Sequence, residues 1–115
     1  MTSKVQFRLR IYKDERIAIG PGKVALLEAV AEYGSISAAA RQLGMSYRRA
    51  WLLIDETNRA FNAPVVDTAT GGSHGGGAQL TALGKKVITH YRAIENSARV
   101  AAASDISALN RLLSA

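Results

Sequence analysis

The residues best suited to chemistry in this sequence are two adjacent arginines, Arg48 and Arg49, which follow Ser46 and Tyr47. A guanidinium group carries five N–H donors in a planar fork, so it can form paired hydrogen bonds with a guanine edge or with phosphate oxygens. Ser46 can cap a helix, because its short side-chain oxygen accepts a hydrogen bond from an amide that has no partner within the helix. The pattern therefore predicts a helix that begins with cationic donors.

A second candidate is the glycine-rich stretch 70–77, TGGSHGGG. A nucleotide-binding phosphate loop requires lysine and then serine or threonine after its last glycine, whereas Gly77 is followed by alanine and glutamine. The short flanks favour a β-hairpin, whose glycine tip can approach a sugar-phosphate backbone and donate amide hydrogen bonds. We expect such contacts from Thr70, Gly71, Gly72, Ser73 and His74.

The sequence contains no pattern typical of an enzyme or a metal site. It has no cysteine, which excludes disulfides, thiolate ligands and a cysteine nucleophile. The two histidines, His74 and His90, lack a carboxylate or nucleophile at a recognised spacing. We therefore expect no catalytic residues, no cofactor and no metal.

Length and composition fit one folded domain, with 115 residues of which 48% are hydrophobic and 21% charged. Fifteen lysines and arginines against nine acidic residues give a formal net charge of +6, which favours a polyanionic partner. The alternative is a basic but otherwise unspecialised surface. The N-terminus lacks the apolar core of a signal peptide, and no run approaches the ~20 apolar residues of a membrane span, so the expected location is the cytoplasm.

Residues 35–61 predict two helices joined by a tight turn at residues 43–46. Ser35 or Ser37 can cap the first helix, and both can bond phosphate where that helix meets a nucleic-acid backbone. The alanines at 38–40 allow the second helix to approach closely, and Leu43 supplies an apolar anchor. These features together describe a DNA-binding helix-turn-helix whose second helix enters the major groove.

In the second helix, the spacing of apolar residues predicts a side that faces the core. The predicted inward residues are Tyr47, Ala50, Trp51, Ile54 and Phe61. Tyr47 is either a base contact or a core ring that donates its hydroxyl to a phosphate, and the sequence does not separate these two roles. Trp51 is expected in the core.

The remaining elements complete a winged helix-turn-helix. Alternation of Val5, Phe7, Leu9 and Ile11 with polar residues predicts a strand with one buried face, paired with a short strand at 16–19. A helix follows to Gly34, and residues 65–69 and 78–80 predict a hairpin with the glycine tip between them. A long helix capped by Thr81 then extends to about residue 103, with a possible interruption at 104–105. The predicted fold is mainly α with small β-hairpins and a long C-terminal dimerisation helix.

Apolar residues on the long helix follow a heptad spacing of 4, 3, 4 and 3, which predicts a homodimer interface. These residues are Val87, Tyr91, Ile94, Ala98 and Ala101, and Gly84 continues the pattern backwards. The alternative is that this stripe packs against its own domain. We accordingly divide the chain into a DNA-binding domain at 1–80 and a dimerisation helix with its tail at 81–115. Lys85 and Lys86 either contact flanking phosphates or form a solvated face.

Two stretches resemble one protein family, namely GSISAAA at 34–40 with SYRRAW at 46–51, and ATGGSHGGGA at 69–78. They are similar to the DNA-binding domain of the ModE-type molybdate-responsive repressors, within the LysR-like winged-helix group. The resemblance spans about residues 5–100 and implies a dimeric transcription regulator. Family members also carry C-terminal molybdate-binding domains, for which 115 residues leave no room, so we expect neither a cofactor nor an identifiable small-molecule ligand. The alternative is a winged-helix protein-interaction module without DNA binding.

Overall fold

The computed structural model describes residues 4–68 and 77–114. Within these residues, five helices and two antiparallel strand pairs form a winged helix-turn-helix, which confirms the predicted fold class. The elements are β1 (Ile11–Lys13), β2 (Arg16–Ile19), α1 (Pro21–Tyr33), α2 (Ile36–Gln42), α3 (Tyr47–Ala60), β3 (Val66–Thr68), β4 (Ala78–Leu80), α4 (Ala82–Ala101) and α5 (Ala103–Arg111).

The helix boundaries follow from local side-chain chemistry. Gly34 and Gly44 adopt left-handed backbone angles, with φ of 74° and 68°, directly after α1 and α2. Glycine has no Cβ to clash in this conformation, and so it ends a helix readily. Hydroxyl oxygens cap α2, α3 and α4 by accepting a hydrogen bond from a backbone amide at 3.0–3.1 Å. The pairs are Ser35 with Ala38, Ser46 with Arg49, and Thr81 with Gly84.

The core surrounds α1. Its buried apolar side consists of Val24, Leu26, Leu27 and Val30, which are almost fully excluded from solvent. Both α2 and α3 pack against this side through small residues, namely Ala39, Ala40 and Ala50. Because alanine side chains are short, the three helices approach closely, and this holds the helix-turn-helix rigidly on α1.

The N-terminal segment differs from the sequence-based prediction. Residues 4–10 form no strand, and β1 begins only at Ile11. The physical reason is the length of the partner: β2 ends at Ile19, which already pairs with Ile11, so earlier residues have no strand beside them. The segment lies along α4 instead. The Tyr91 hydroxyl donates a hydrogen bond to the Leu9 carbonyl at 2.8 Å, and the Arg99 guanidinium lies 5.6 Å from the Phe7 ring centroid.

The second hairpin forms as predicted, with Val66 opposite Leu80 and Thr68 opposite Ala78. Its base is held against α4 by close contact at Gly84. A Cβ added at position 84 would overlap the carbonyl oxygen of Val65. Gly84 is therefore a packing residue of its own chain and contributes no side chain to an intermolecular seam.

The long helix ends slightly earlier than expected. α4 ends at Ala101, and α5 begins at Ala103, so the interruption lies at Ala102 rather than at 104–105. α5 has no buried residue; its Leu109 is exposed, and so is Leu112, which follows the helix. The C-terminal part of the chain thus extends beyond the core, and the described residues span 56 Å along their longest axis.

Candidate nucleic-acid interface

The start of α3 lies on the surface, as the sequence predicted. Tyr47, Arg48 and Arg49 are exposed, while Ala50 is fully buried against the core. Ser46 caps this helix, which orients its first turn and directs the unbonded amides outward. The first turn therefore presents two guanidinium groups and one phenol to solvent.

The support helix α2 places its two serines differently. Ser35 is half-buried, and its oxygen accepts the Ala38 amide, whereas Ser37 is exposed in the first turn. A capping hydroxyl still carries its own hydrogen, so Ser35 remains able to donate to an anion while it caps the helix. Both serines lie at the N-terminal end of α2.

Three apolar residues that were expected to be buried are exposed. Tyr47 and Trp51 lie 56% and 46% exposed, and Leu43 in the turn is 39% exposed. The buried side of α3 is set by Ala50, Ile54 and Thr57, which recur at intervals of four and three. Residue 51 is rotated by about 100° from residue 50, and this rotation carries Trp51 out of the core. The predicted core role of Trp51 is wrong, and of the two roles left open for Tyr47 its exposure contradicts the core ring.

The basic residues at the start of α3 are separated from the acidic residues further along the helix. Within the described residues, Arg48 and Arg49 make no ion pair, and the first turn contains no acidic residue. The acidic residues come later. Asp55 pairs with Arg59 at 3.1 Å, and Glu56 lies 3.6 Å from the Lys23 ammonium. The N-terminal end of α3 is therefore positive, and its acidic residues are partly neutralised further along.

Asn58 was not singled out from the sequence, yet it joins α3 to the hairpin. Its side-chain oxygen accepts the amides of Val65 and Val66 at 2.8 and 3.2 Å, and its NH₂ group donates to the Val66 carbonyl at 3.4 Å. A possible signal was its spacing, because residue 58 follows Ile54 by four positions and so lies near the inner side of α3. An uncharged polar residue placed there requires hydrogen-bond partners.

The hairpin base is fixed at two further points. The Ala78 amide donates to the Gly34 carbonyl at 2.9 Å, and the Thr81 hydroxyl donates to the Pro64 carbonyl at 2.7 Å. These bonds hold both strands beside α1 and α3. The predicted tip contacts at Thr70, Gly71, Gly72, Ser73 and His74 lie outside the described residues.

Lys85 and Lys86 are both exposed but lie on different sides of α4. Lys85 borders a surface depression that is also formed by Gly34, Asp67 and Gln79, next to the hairpin. Lys86 borders an apolar groove on the other side, together with Ile11, Phe61 and His90. Lys85 is therefore the lysine that lies beside the hairpin strands.

The predicted dimer stripe on α4 is only partly exposed. Tyr91 is 2% exposed. Burial raises the pKa of its phenol above the ordinary value, and nearby Glu95 makes a smaller contribution in the same direction. Tyr91 therefore belongs to the core of its own chain, contrary to the prediction. Val87 is half-buried, and Ile94 is 44% exposed. Of the two smaller members, Ala98 is half-buried and Ala101 is exposed.

Arg92 also ties α4 to α1. Its guanidinium donates to both carboxylate oxygens of Glu28, with Nε–Oε2 at 3.0 Å, and to Glu95 at 2.6 Å. These acceptors raise the pKa of Arg92, the hydrogen bond to Glu28 being the largest cause. The charges on this part of the surface are thus paired, unlike those at the start of α3.

No metal site or membrane span is found in the part of the chain that the structure describes. Across residues 4–68 and 77–114, no three histidine or carboxylate side chains cluster closely enough to bind a metal. None of the described helices combines the length and apolar character that crossing a bilayer requires.

A known protein family matches the same elements of the chain. Residues 22–85, more than half of the chain, match the family described as bacterial regulatory helix-turn-helix protein, lysR family. The chain belongs to this LysR family. The match runs from the first turn of α1, through the helix pair and the hairpin, to the first turn of α4.

Within this family, the chain is similar to ModE and related molybdenum proteins. It is 34% identical to the DNA-binding transcriptional dual regulator ModE of Escherichia coli K12, over 97% of this chain and 44% of that protein. It is 39% identical to the molybdenum transport protein ModE of Azotobacter vinelandii, over 76% and 33%. With the molybdenum-pterin-binding protein MopB of Rhodobacter capsulatus it shares 52% identity over 67% of this chain and 28% of that one. The chain thus spans less than half the length of these relatives.

Proposed function

We propose that this LysR-family chain is a sequence-selective, DNA-binding transcription regulator of the ModE type. α3 would lie in the major groove, and the glycine-rich hairpin would contact the flanking backbone. The observation that carries this proposal is the pair of exposed arginines at the capped start of α3, which form no ion pair within residues 4–68 and 77–114. A helix of this kind fits the major groove, where an arginine can bond the O6 and N7 atoms of guanine.

The phosphate contacts that we propose surround this helix start. Ser35 and Ser37 lie at the beginning of α2, and Lys85 lies beside the hairpin strands. Tyr47 is exposed next to Arg48, which favours a direct contact with DNA over a purely structural role. We also assign the hairpin tip, Thr70 to His74, to the backbone. No catalytic activity is proposed, and the chain would act in the cytoplasm, where bacterial DNA lies.

The direct test is selection of bound duplexes from a random pool, followed by titration of the enriched sequence. Arg48→Ala or Arg49→Ala should lower affinity for the enriched duplex by about 1–3 kcal/mol, because each removes a paired contact with a base. Affinity for random duplex should fall less, so the discrimination ratio shrinks. Fluorescence anisotropy measures both affinities.

The matched control is Arg111→Ala, which removes the same charge near the end of α5. This variant should keep both the affinity and the discrimination ratio. If the unmutated protein enriches no sequence and binds all duplexes alike, the proposed function fails.

We also propose that the chain acts as a homodimer, with residues 1–80 contacting DNA and 81–115 joining the copies. The seam that we propose keeps Val87 and Ile94 of the predicted stripe and adds residues of the first hairpin and Phe61. An apolar groove of about 300 Å³ lies between the first hairpin and α4, and Ile11, Phe61, Val87 and Ile94 line it. Because Tyr91 closes this groove from below, its open side faces away from the core. A dimer that reads one duplex must hold its two α3 helices about 34 Å apart, the spacing of successive major grooves on one side of the duplex.

Several of the relatives carry molybdenum in their names, but the matched region is a small part of each. MopB and MopA of Rhodobacter capsulatus are covered over only 28% and 30% of their length. We propose that the matched region is the DNA-binding part of these proteins and that this chain binds no molybdate or other cofactor. Isothermal titration with molybdate tests this directly, and a saturable heat would contradict it.

A further inference from the structure

The exposed face of α3 contains an apolar surface that the arginine contacts do not explain. Trp51 and Leu52 are 46% and 47% exposed, and with Tyr47 and the stem of Arg48 they form a shallow depression of about 360 Å³. Its lining is almost entirely carbon. A large apolar side chain stabilises a protein less when it is exposed to water than when it is buried. A contiguous group of such side chains on a surface therefore indicates contact with an apolar partner.

Helical spacing places this surface within the proposed DNA contact. Leu52 follows Arg48 by four residues, and Trp51 follows Tyr47 by four, so each pair forms one strip along α3. Asn58, which bonds the hairpin, follows Trp51 by seven residues and lies on the same side. The strip of Tyr47 and Trp51 is therefore the one nearer the hairpin, while the strip of Arg48 and Leu52 points away from the core.

We propose that Trp51 and Leu52 bind thymine C5-methyl groups in the major groove. This inference rests on the proposed function, because it assumes that α3 lies in that groove. Each base edge there presents hydrogen-bonding groups, and thymine adds an exposed methyl group that favours an apolar neighbour. The absence of acidic residues in the first turn, with two arginines adjacent, favours a polyanion as the occupant of this surface over a protein.

The geometry also predicts where thymine should occur. Four residues, or about 6 Å along the helix axis, separate Arg48 from Leu52, and base pairs are stacked about 3.4 Å apart. A guanine bound by Arg48 should therefore lie within about two base pairs of a thymine bound by Leu52. The enriched duplex should contain a guanine and a thymine at this separation.

The test replaces single thymines of the enriched duplex with deoxyuridine, which removes only the methyl group. At a contacted position, the unmutated protein should lose about fourfold in affinity, the equivalent of one buried methyl. With Leu52→Gln or Trp51→Ala, binding should weaken for the thymine duplex, and the ratio between thymine and deoxyuridine at that position should fall towards one. Leu109→Ala, which shortens a leucine of α5 that is 64% exposed, should keep the fourfold ratio.

Each result decides the proposal. If every deoxyuridine duplex binds the unmutated protein as tightly as its thymine parent, the methyl contact is wrong, while an enriched sequence would still support the proposed function. If the variants fold normally by circular dichroism but weaken thymine and deoxyuridine duplexes equally, the surface contacts DNA in another way, and the inference fails. If they leave all DNA binding unchanged, the surface belongs to a protein partner, and the inference fails as well.

Discussion

Both α3 and α4 leave large apolar residues exposed, but their surroundings differ. On α3, Trp51 and Leu52 lie next to arginines that are unpaired within the described residues. On α4, Ile94 lies at an apolar groove, and the nearby Arg92 is already bound to two carboxylates. The apolar area alone does not distinguish the two surfaces. Their charge distinguishes them in degree. Two arginines adjoin the surface on α3 and favour a polyanion, whereas the described lining of the groove is mainly apolar with Lys86 at its border, which favours another protein surface.

A close contact at Gly84 helps to join the two surfaces, alongside the Arg92–Glu28 ion pair that ties α4 to α1. Gly84 brings α4 against the carbonyl of Val65, and that same carbonyl accepts the Thr81 amide at 3.0 Å. Val65 and the adjoining residue are bonded on their other side to Asn58 of α3. The position of α4 relative to α3 therefore depends on this small region of backbone.

The largest effect is expected from Gly84→Ala. The added Cβ would overlap the Val65 carbonyl, and because that atom is backbone, relief requires a shift of α4 or the hairpin. Overpacking of this kind costs about 1–3 kcal/mol, and we expect the upper end of that range in the free energy of unfolding. Urea unfolding followed by circular dichroism measures it.

Gly22→Ala is the matched control for this change. A Cβ at residue 22 meets no atom within 4 Å, and residue 22 lies in α1, where alanine is favoured over glycine. Its stability should rise by up to about 1 kcal/mol. Equal stabilities for the two variants would show that α4 does not depend on close contact at residue 84.

A smaller effect, confined to the groove, is expected from Ile94→Glu. If a second copy covers this residue, each copy loses about 1 kcal/mol of apolar burial, and a symmetric dimer contains the change twice. The dimer dissociation constant should rise about thirtyfold, while affinity for a duplex carrying one half-site should not change. Sedimentation equilibrium measures the first quantity, and anisotropy the second.

Val100→Glu provides the comparison on the same helix. Val100 is exposed but does not line the groove, so this variant should dimerise normally. A dimer that tolerates Ile94→Glu would remove the groove from the interface and leave the exposed leucines of α5 as the remaining surface.

The sequence predicted most helix ends because capping depends on single residues. Ser35, Ser46, Thr81 and the two turn glycines act through their own backbone or hydroxyl groups, so local chemistry was sufficient. The LysR and ModE resemblance was also confirmed, and its motifs include Gly34, Ser35 and Ser46.

Burial was harder to predict than helix boundaries. Trp51 and Tyr91 both follow helical spacing, yet one is exposed and the other is buried in its own chain. Spacing fixes which residues share a side of a helix, but tertiary packing decides which side turns inward. For Tyr91 the partner is the Leu9 carbonyl, 82 residues away, and no pattern within α4 contains that information.

The smallest effect is expected from substitution of Lys85 and Lys86, the adjacent lysines that lie on different sides of α4. Lys85 lies beside the hairpin, so Lys85→Ala should reduce the slope of log affinity against log salt by about one unit, as expected for one lost phosphate contact. Lys86→Ala should leave the slope unchanged, since Lys86 borders the groove. Titration of one duplex at several salt concentrations measures both slopes. The reverse result would place the duplex on the groove side of α4, where it would exclude a second copy, and the two surfaces could not then be used together.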